Sequence, residues 1–307
     1  MQLDLFQWDL LETGKGYACL AQLDLAEARS RFARVLEARP AHPAATAGLQ
    51  AVRYWEQAFR AVAALQGERA VALFWKRLQA FSFGSGEVDR ELRASLLARL
   101  QQMMAEEGID YLPPDLCLGY LSLQLGDAIA AESQLRTLIE TVPGEGLLYG
   151  YLGDALWRQG RREIANGVYT IGLLRDPERL SAHVPCNARL AAVIAAHGAA
   201  MAPVHGFLEG ILPLVELEES SATEAVRIYG LLRRSERARR RRDHAAMMAA
   251  RRELQNLAPE VFTAYLRFVQ AGEQEQPPRE GTKESGRSRP KDERATHDRE
   301  AGLVRGR

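Results

Sequence analysis

The chain repeats itself. "LGYLSLQLGD" begins at Leu118 and "LGDALWRQGR" at Leu152, so a Leu-Gly pair, followed seven residues later by Gly and a charged residue, returns after 34 residues. The same shift carries Gly126 onto Gly160, Ala131 onto Ala165, Leu135 onto Tyr169 and Pro143 onto Pro177, giving two abutting windows, 112–145 and 146–179. The template also fits 9–42, with Gly16 in the place of Gly119, Asp24 of Asp127, Ala28 of Ala131, Phe32 of Leu135 and Pro40 of Pro143. A fainter copy near the C-terminus keeps only Asp243, Leu254 and Pro259. A period of this length constrains the fold severely, because one such unit cannot bury its apolar side alone and must stack on neighbours.

Each matched residue has a physical task. "DLCLGYLSLQLG" has helical spacing of apolar residues and stops at Gly126, which tolerates a left-handed backbone. A second helix follows at once and ends before Pro143, which has no N–H to continue it. Gly119 and Ala131 are small because two antiparallel helices joined by a short turn cross closely, and Leu135 and Tyr169 fill the remaining space. The expectation is an all-α helical-repeat solenoid of antiparallel helix-turn-helix units.

Units of 34 residues with this Leu-Gly, Gly, Ala, Leu-or-aromatic, Pro pattern resemble tetratricopeptide repeats, most closely in 146–179. Asp115 and Glu12 stand where that family often has Trp; Tyr149 holds the place in the best unit. The resemblance implies a concave face, built from the first helices, that binds peptide segments or helices of other proteins. On its groove-lining places stand Leu116, Tyr120, Leu123 and Gln124, then Asp154, Trp157 and Arg158. That mixture suits an amphipathic ligand, with rigid aromatic area beside polar groups that orient a partner. The alternative is that Trp157 and Tyr120 pack against a covering helix of this same chain. Family members that grip a C-terminal carboxylate use Lys and Asn where Leu116, Gly150 and Tyr120 stand here, so that ligand class is not expected.

Four regions follow from the pattern: 1–110 with the first unit and degenerate or inserted helices, 111–200 with the tandem pair and a covering helix, 201–271 with C-terminal helices, and 272–307. "YLPPD" reads as a helix start, Ser221-x-x-Glu224 as a capping box opening a helix to about Arg242, and "SFGSGE" as a turn. Beyond Gly272 only Ala295, Ala301, Leu303 and Val304 are apolar, so 272–307 is expected to be a disordered polyampholyte tail. No segment reads as a membrane span, and "MQLDLFQWDLLETGKG" carries acids where a signal peptide carries positive charge; the cytoplasm is the expected compartment. Only four of the 40 basic residues are Lys, which together with abundant Ala and Leu suggests a GC-rich bacterial genome.

With 40 basic and 40 acidic residues the whole chain offers no electrostatic case for nucleic acid. Locally the balance breaks: "LLRRSERARRRRD" sets Arg233, Arg234, Arg237, Arg239, Arg240, Arg241 and Arg242 against Glu236. This patch could take nucleic acid or an acidic protein surface. The plainer account, which is preferred, is a solvated helix end whose guanidiniums pair with the upstream "ELEESSATE". His183, Cys186, His197 and His205 form an H-x2-C-x10-H-x7-H series that matches no zinc-finger spacing, and no metal or cofactor is expected. Cys19, Cys117 and Cys186 form no C-x-x-C pair, and the Gly-Lys-Gly at 14–16 lacks the rest of a phosphate loop. No catalytic fingerprint appears. A non-catalytic scaffold or adaptor binding a peptide or helix of another protein is the function expected, ahead of the Arg-rich alternative and of a metal-dependent enzyme.

Overall fold

A computed structural model describes residues 3–216 and 223–274. Its helices are α1 (Leu3–Ala21), α2 (Leu25–Ala38), α3 (Pro43–Ala63), α4 (Gly67–Ala80), α5 (Glu87–Glu106), α6 (Leu118–Gln124), α7 (Ala128–Thr141), α8 (Gly146–Arg158), α9 (Arg162–Arg175), α10 (Pro177–Ser181), α11 (Ala188–Leu208), α12 (Glu224–Arg241), α13 (His244–Leu257) and α14 (Pro259–Gln274). The fold is an all-α helical repeat in which most helices pack chiefly on their neighbours in sequence. By packing, the chain divides into Met1–Phe268 and Val269–Arg307. The expected tail lies outside the described residues, save for its first three.

One local device recurs at the turns of α1–α2, α6–α7, α8–α9 and α12–α13. One or two residues past each first helix the backbone turns left-handed: Leu23 (φ 64°), Gly126 (φ 90°), Gly160 (φ 78°) and Arg242 (φ 59°). The next N–H then reaches back five residues: Asp24 to the Cys19 carbonyl at 2.9 Å, Asp127 to Ser122 at 2.9 Å, Arg161 to Leu156 at 3.0 Å and Asp243 to Ala238 at 2.9 Å. This is the Schellman closure, which satisfies carbonyls at the helix end. In three of the four, an Asp then caps the second helix, Asp24, Asp127 and Asp243 accepting from the N–H of Glu27, Ala130 and Ala246 at 3.1, 2.9 and 3.0 Å. The faint C-terminal copy is therefore a full hairpin. Its closest-crossing place is held by buried Ser235, eight residues before the cap, where the other units have Gly.

Those glycines sit in equivalent surroundings. A β-carbon on Gly16 would lie 2.7 Å from Phe32, one on Gly119 2.4 Å from Leu135, and one on Gly153 2.3 Å from Tyr169, always the residue sixteen positions on. Phe32, Leu135 and Tyr169 are fully buried, each wedged into the space the missing side chain leaves.

Most buried apolar side chains before α12 form two clusters that meet at α6: one runs from Leu20 through Trp55, Phe74 and Leu96 to Leu121, the other from Cys117 through Tyr169 to Leu212. In the first, α5 packs against α1, α4 and α6, so the N-terminal helices close on one another.

Three expectations are corrected. "YLPPD" does not open a helix; Tyr111–Leu112 pairs antiparallel with Leu116–Cys117 around a cis Pro113–Pro114 bond, and α6 starts only at Leu118. Thr223, whose hydroxyl accepts from the Val226 N–H at 3.4 Å, caps α12, while Ser221 lies outside the described residues. Finally, α11 is long and apolar enough by composition to cross a membrane, since no Asp, Glu, Lys or Arg occurs from Leu190 to Leu208. It is not a straight rod, however. Gly198 is non-helical (φ 75°, ψ 157°), and beyond it the chain folds back, so that Arg189 Nη2 lies 3.4 Å from the Glu209 carbonyl, twenty residues away. A continuous helix would hold those ends about 30 Å apart.

Candidate functional site

The seven residues expected to line a groove divide by burial. Leu116, Leu123 and Asp154 were expected to face a partner and instead are shut inside the protein, at 0%, 1% and 5% exposure. Leu116 falls on the short strand before α6 and packs into the N-terminal cluster; Leu123 packs into the second. Tyr120, Gln124 and Trp157 are half-buried and Arg158 is exposed. Arg158 also serves the fold, since its Nη1 donates to the Leu123 carbonyl at 2.6 Å and so ties α8 to α6. The Arg162 guanidinium lies 5.3 Å from the centre of the Trp157 ring, a cation–π contact that holds the indole in place.

Asp154 is engaged on several sides. It accepts hydrogen bonds from the Tyr169 hydroxyl and, at 2.8 Å, from the Cys186 N–H, and His183 Nε2 lies 3.1 Å from its other oxygen. Burial alone would raise its pKa, but His183, Tyr169 and the Cys186 N–H outweigh that and hold the carboxyl below its ordinary value. Burial and the neighbouring carboxylate both push the Tyr169 hydroxyl up. The Cys186 thiol is likewise raised by burial and by Asp154, against the opposing Arg158, so it is no poised thiolate. Asp154 thus fastens the segment after α10 across the inner side of α8, where Leu180 and His183 also press on Gly150.

A row of rings crosses the same face. Trp75 meets Tyr120 edge-on at 6.0 Å, Tyr120 lies 4.7 Å from Tyr151, and Tyr151 meets His183 at 5.4 Å. Asp115 sits beneath it, accepting from Trp75 Nε1 and Gln79 Nε2 at 3.3 Å each through its carboxylate and from the Tyr151 hydroxyl at 3.2 Å through its carbonyl. Trp75 thus comes to Asp115 from α4, 40 residues upstream. Sequence reasoning missed Trp75 and Tyr151, and named His183 only as a metal-ligand candidate. Tyr151 sits one turn before Asp154 and could have been found by helical spacing, but nothing local signals Trp75.

Along α12 the arginines divide. Arg233 reaches the Val215 carbonyl at 3.5 Å, Arg234 pairs with Glu253 at 3.2 Å, Arg237 with Glu216 at 3.6 Å, and Arg239 with buried Glu236 at 2.7 Å. Arg240, Arg241 and Arg242 are exposed, and among the described residues their guanidiniums have no ion-pair or hydrogen-bond partner. Most of the acidic stretch expected to neutralise them lies outside the described residues. The four candidate zinc ligands do not converge: His183 serves Asp154, whereas His197 and His205 stack ring on ring at 3.7 Å across the fold in α11. Among the described residues no three His, Cys, Asp or Glu side chains gather as a metal site would require.

No family model matches the chain, and no solved structure matches it. A curated protein, cellulose synthase operon protein C of Xanthomonas axonopodis pv. citri (strain 306), is 30% identical over 168 residues, which are 51% of this chain and 11% of the relative. The chain is therefore similar to that protein over about half its own length, and spans about a tenth of the relative's.

Proposed function

We propose that the chain is a non-catalytic protein-interaction scaffold that holds a peptide or helix of another protein against the rim formed by Tyr120, Gln124, Trp157 and Arg158. The carrying observation is a half-buried indole beside an exposed Arg158, the two braced by contacts to α9 and α6. Aromatic and Arg anchors held in advance lose little side-chain freedom on binding and dominate protein interfaces. The groups on this face with catalytic chemistry are engaged elsewhere: Asp154 holds Tyr169, His183 and the Cys186 N–H, and the Cys186 thiol is held protonated. The similarity to a cellulose synthase operon protein makes components of a polysaccharide-producing assembly the first partners to test.

The test is affinity capture from the source cell with the native chain and with Trp157→Ala and Gln124→Ala. Arg158 is left intact because it also ties α8 to α6. Loss of a shared prey protein in both variants, at unchanged melting temperature, supports the rim. An identical prey set in native and variant captures refutes it.

A further inference from the structure

The turn between α12 and α13 holds charge that no partner among the described residues takes up. From 223 to 257, ten arginines stand against Glu224, Glu236, Asp243 and Glu253, although the whole chain is neutral. The carboxylates near the middle of α12 are matched to Arg234, Arg237 and Arg239, leaving Arg240, Arg241 and Arg242 consecutive, exposed and unpartnered among the described residues. Three consecutive exposed guanidiniums raise the positive potential at this turn, which attracts anions.

Arg242 sharpens the point. It occupies the left-handed place that Gly126 and Gly160 fill in the tandem units, at φ 59°. A side chain there strains the backbone. Leu23, the other non-glycine in this place, offsets the strain by packing its side chain against the N-terminal core. The Arg242 side chain has no such contact, so the fold alone gives it no reason to replace glycine.

We propose that Arg240, Arg241 and Arg242 form a docking surface for a short acidic segment of another protein. Carboxylate is the chemistry this helix already takes: Glu216, Glu236 and Glu253 meet the preceding arginines at 3.6, 2.7 and 3.2 Å. Planar guanidinium forks match carboxylates two bonds at a time. Three cations at one turn, unpartnered among the described residues, suit a few acidic side chains, whereas a nucleic-acid backbone is gripped by a longer stripe making several phosphate contacts. This surface is independent of the rim at Trp157, so either can fail without the other.

The experiment uses the full chain and a fluorescein-labelled octaglutamate peptide, followed by fluorescence anisotropy at low salt. Changing Arg240→Gln, Arg241→Gln and Arg242→Gln together is expected to weaken binding by about tenfold or more, since each exposed pair contributes modestly. Native binding is expected to fade as salt rises and the Debye length shrinks. Arg242→Gly alone, which relieves the turn, is expected to weaken the peptide while melting no lower than the native chain. Trp157→Ala is expected to leave peptide binding unchanged. The proposal is overturned if the triple variant binds octaglutamate as the native chain does, or if no peptide binding is seen at low salt. It is equally overturned if a DNA duplex or phosphatidylserine vesicles bind more tightly than the peptide through these same three arginines.

Discussion

Replacing Gly153 by Ala probes the closest helix crossing directly. In an open helix interior, Ala in place of Gly stabilises by roughly 0.5–1 kcal/mol. At Gly153 the new β-carbon would sit 2.3, 2.5 and 2.7 Å from Cε1, Cδ1 and Cζ of Tyr169. That ring cannot swing away, being fully buried with its hydroxyl bonded to Asp154. Overpacking costs about 1–3 kcal/mol, and contacts this short against a pinned ring call for the upper end, so after the Ala gain the net loss should be about 2 kcal/mol, or a fall in Tm of about 4–8 °C. Gly119→Ala should lose less, about 1 kcal/mol, because the clash at 2.4 Å is with Leu135, which can change rotamer. Gly14→Ala, with nothing within 4 Å, should gain about 0.5–1 kcal/mol. Urea and thermal melts followed by far-ultraviolet circular dichroism give all three values. In a Tyr169→Ala background the Gly153→Ala loss should vanish, which a double-mutant cycle reads as coupling. If Gly153→Ala is as stabilising as Gly14→Ala, the close-crossing account of the repeat is wrong.

Asp243→Ala should cost about 1 kcal/mol of stability by freeing the Ala246 N–H, measurable as a lower urea midpoint with unchanged slope. Arg242→Gly should raise stability by about 1 kcal/mol in the same assay, whereas Leu23→Gly should gain less because it also gives up packing. The Asp154 carboxyl has a folded-state pKa below its unfolded value, so its network is at full strength at neutral pH and is lost as pH falls through the folded-state value; Asp154→Asn should flatten that acid-side decline in a pH series of melts. The His205 imidazole is held below its ordinary pKa by burial and by the adjacent His197, against an opposing pull from Glu209. Stability should therefore drop as pH is lowered from about 6.5, and less steeply in His205→Gln.

The repeat was legible because its residues act locally. Gly126, Gly160 and the Asp caps shape the turn in which they sit, and the small-large pairs such as Gly153 and Tyr169 lie sixteen residues apart within one hairpin. The C-terminal hairpin was only faint in sequence because the same left-handed turn was built with Arg242 and the same crossing with Ser235, so its geometry persisted while its letters changed. The burial of Asp154 was not legible. Asp154 reads as a polar groove residue, and only the return of the segment carrying His183 and Cys186, about 30 residues later, turns it inward. Likewise Trp75 reaches Asp115 from outside the repeat altogether, a contact no periodic pattern encodes.

The clipped turns bear on how the molecule reaches its structure. A left-handed residue, a backward N–H bond and, in three of the four, a capping carboxylate are all supplied within a few positions of one another, so the hairpins α1–α2, α6–α7, α8–α9 and α12–α13 each carry their own instructions for closing. Chain segments with such short-range contacts pay little loop entropy and collapse early. Folding can then start at any of four places along the polypeptide and spread outward from whichever closes first.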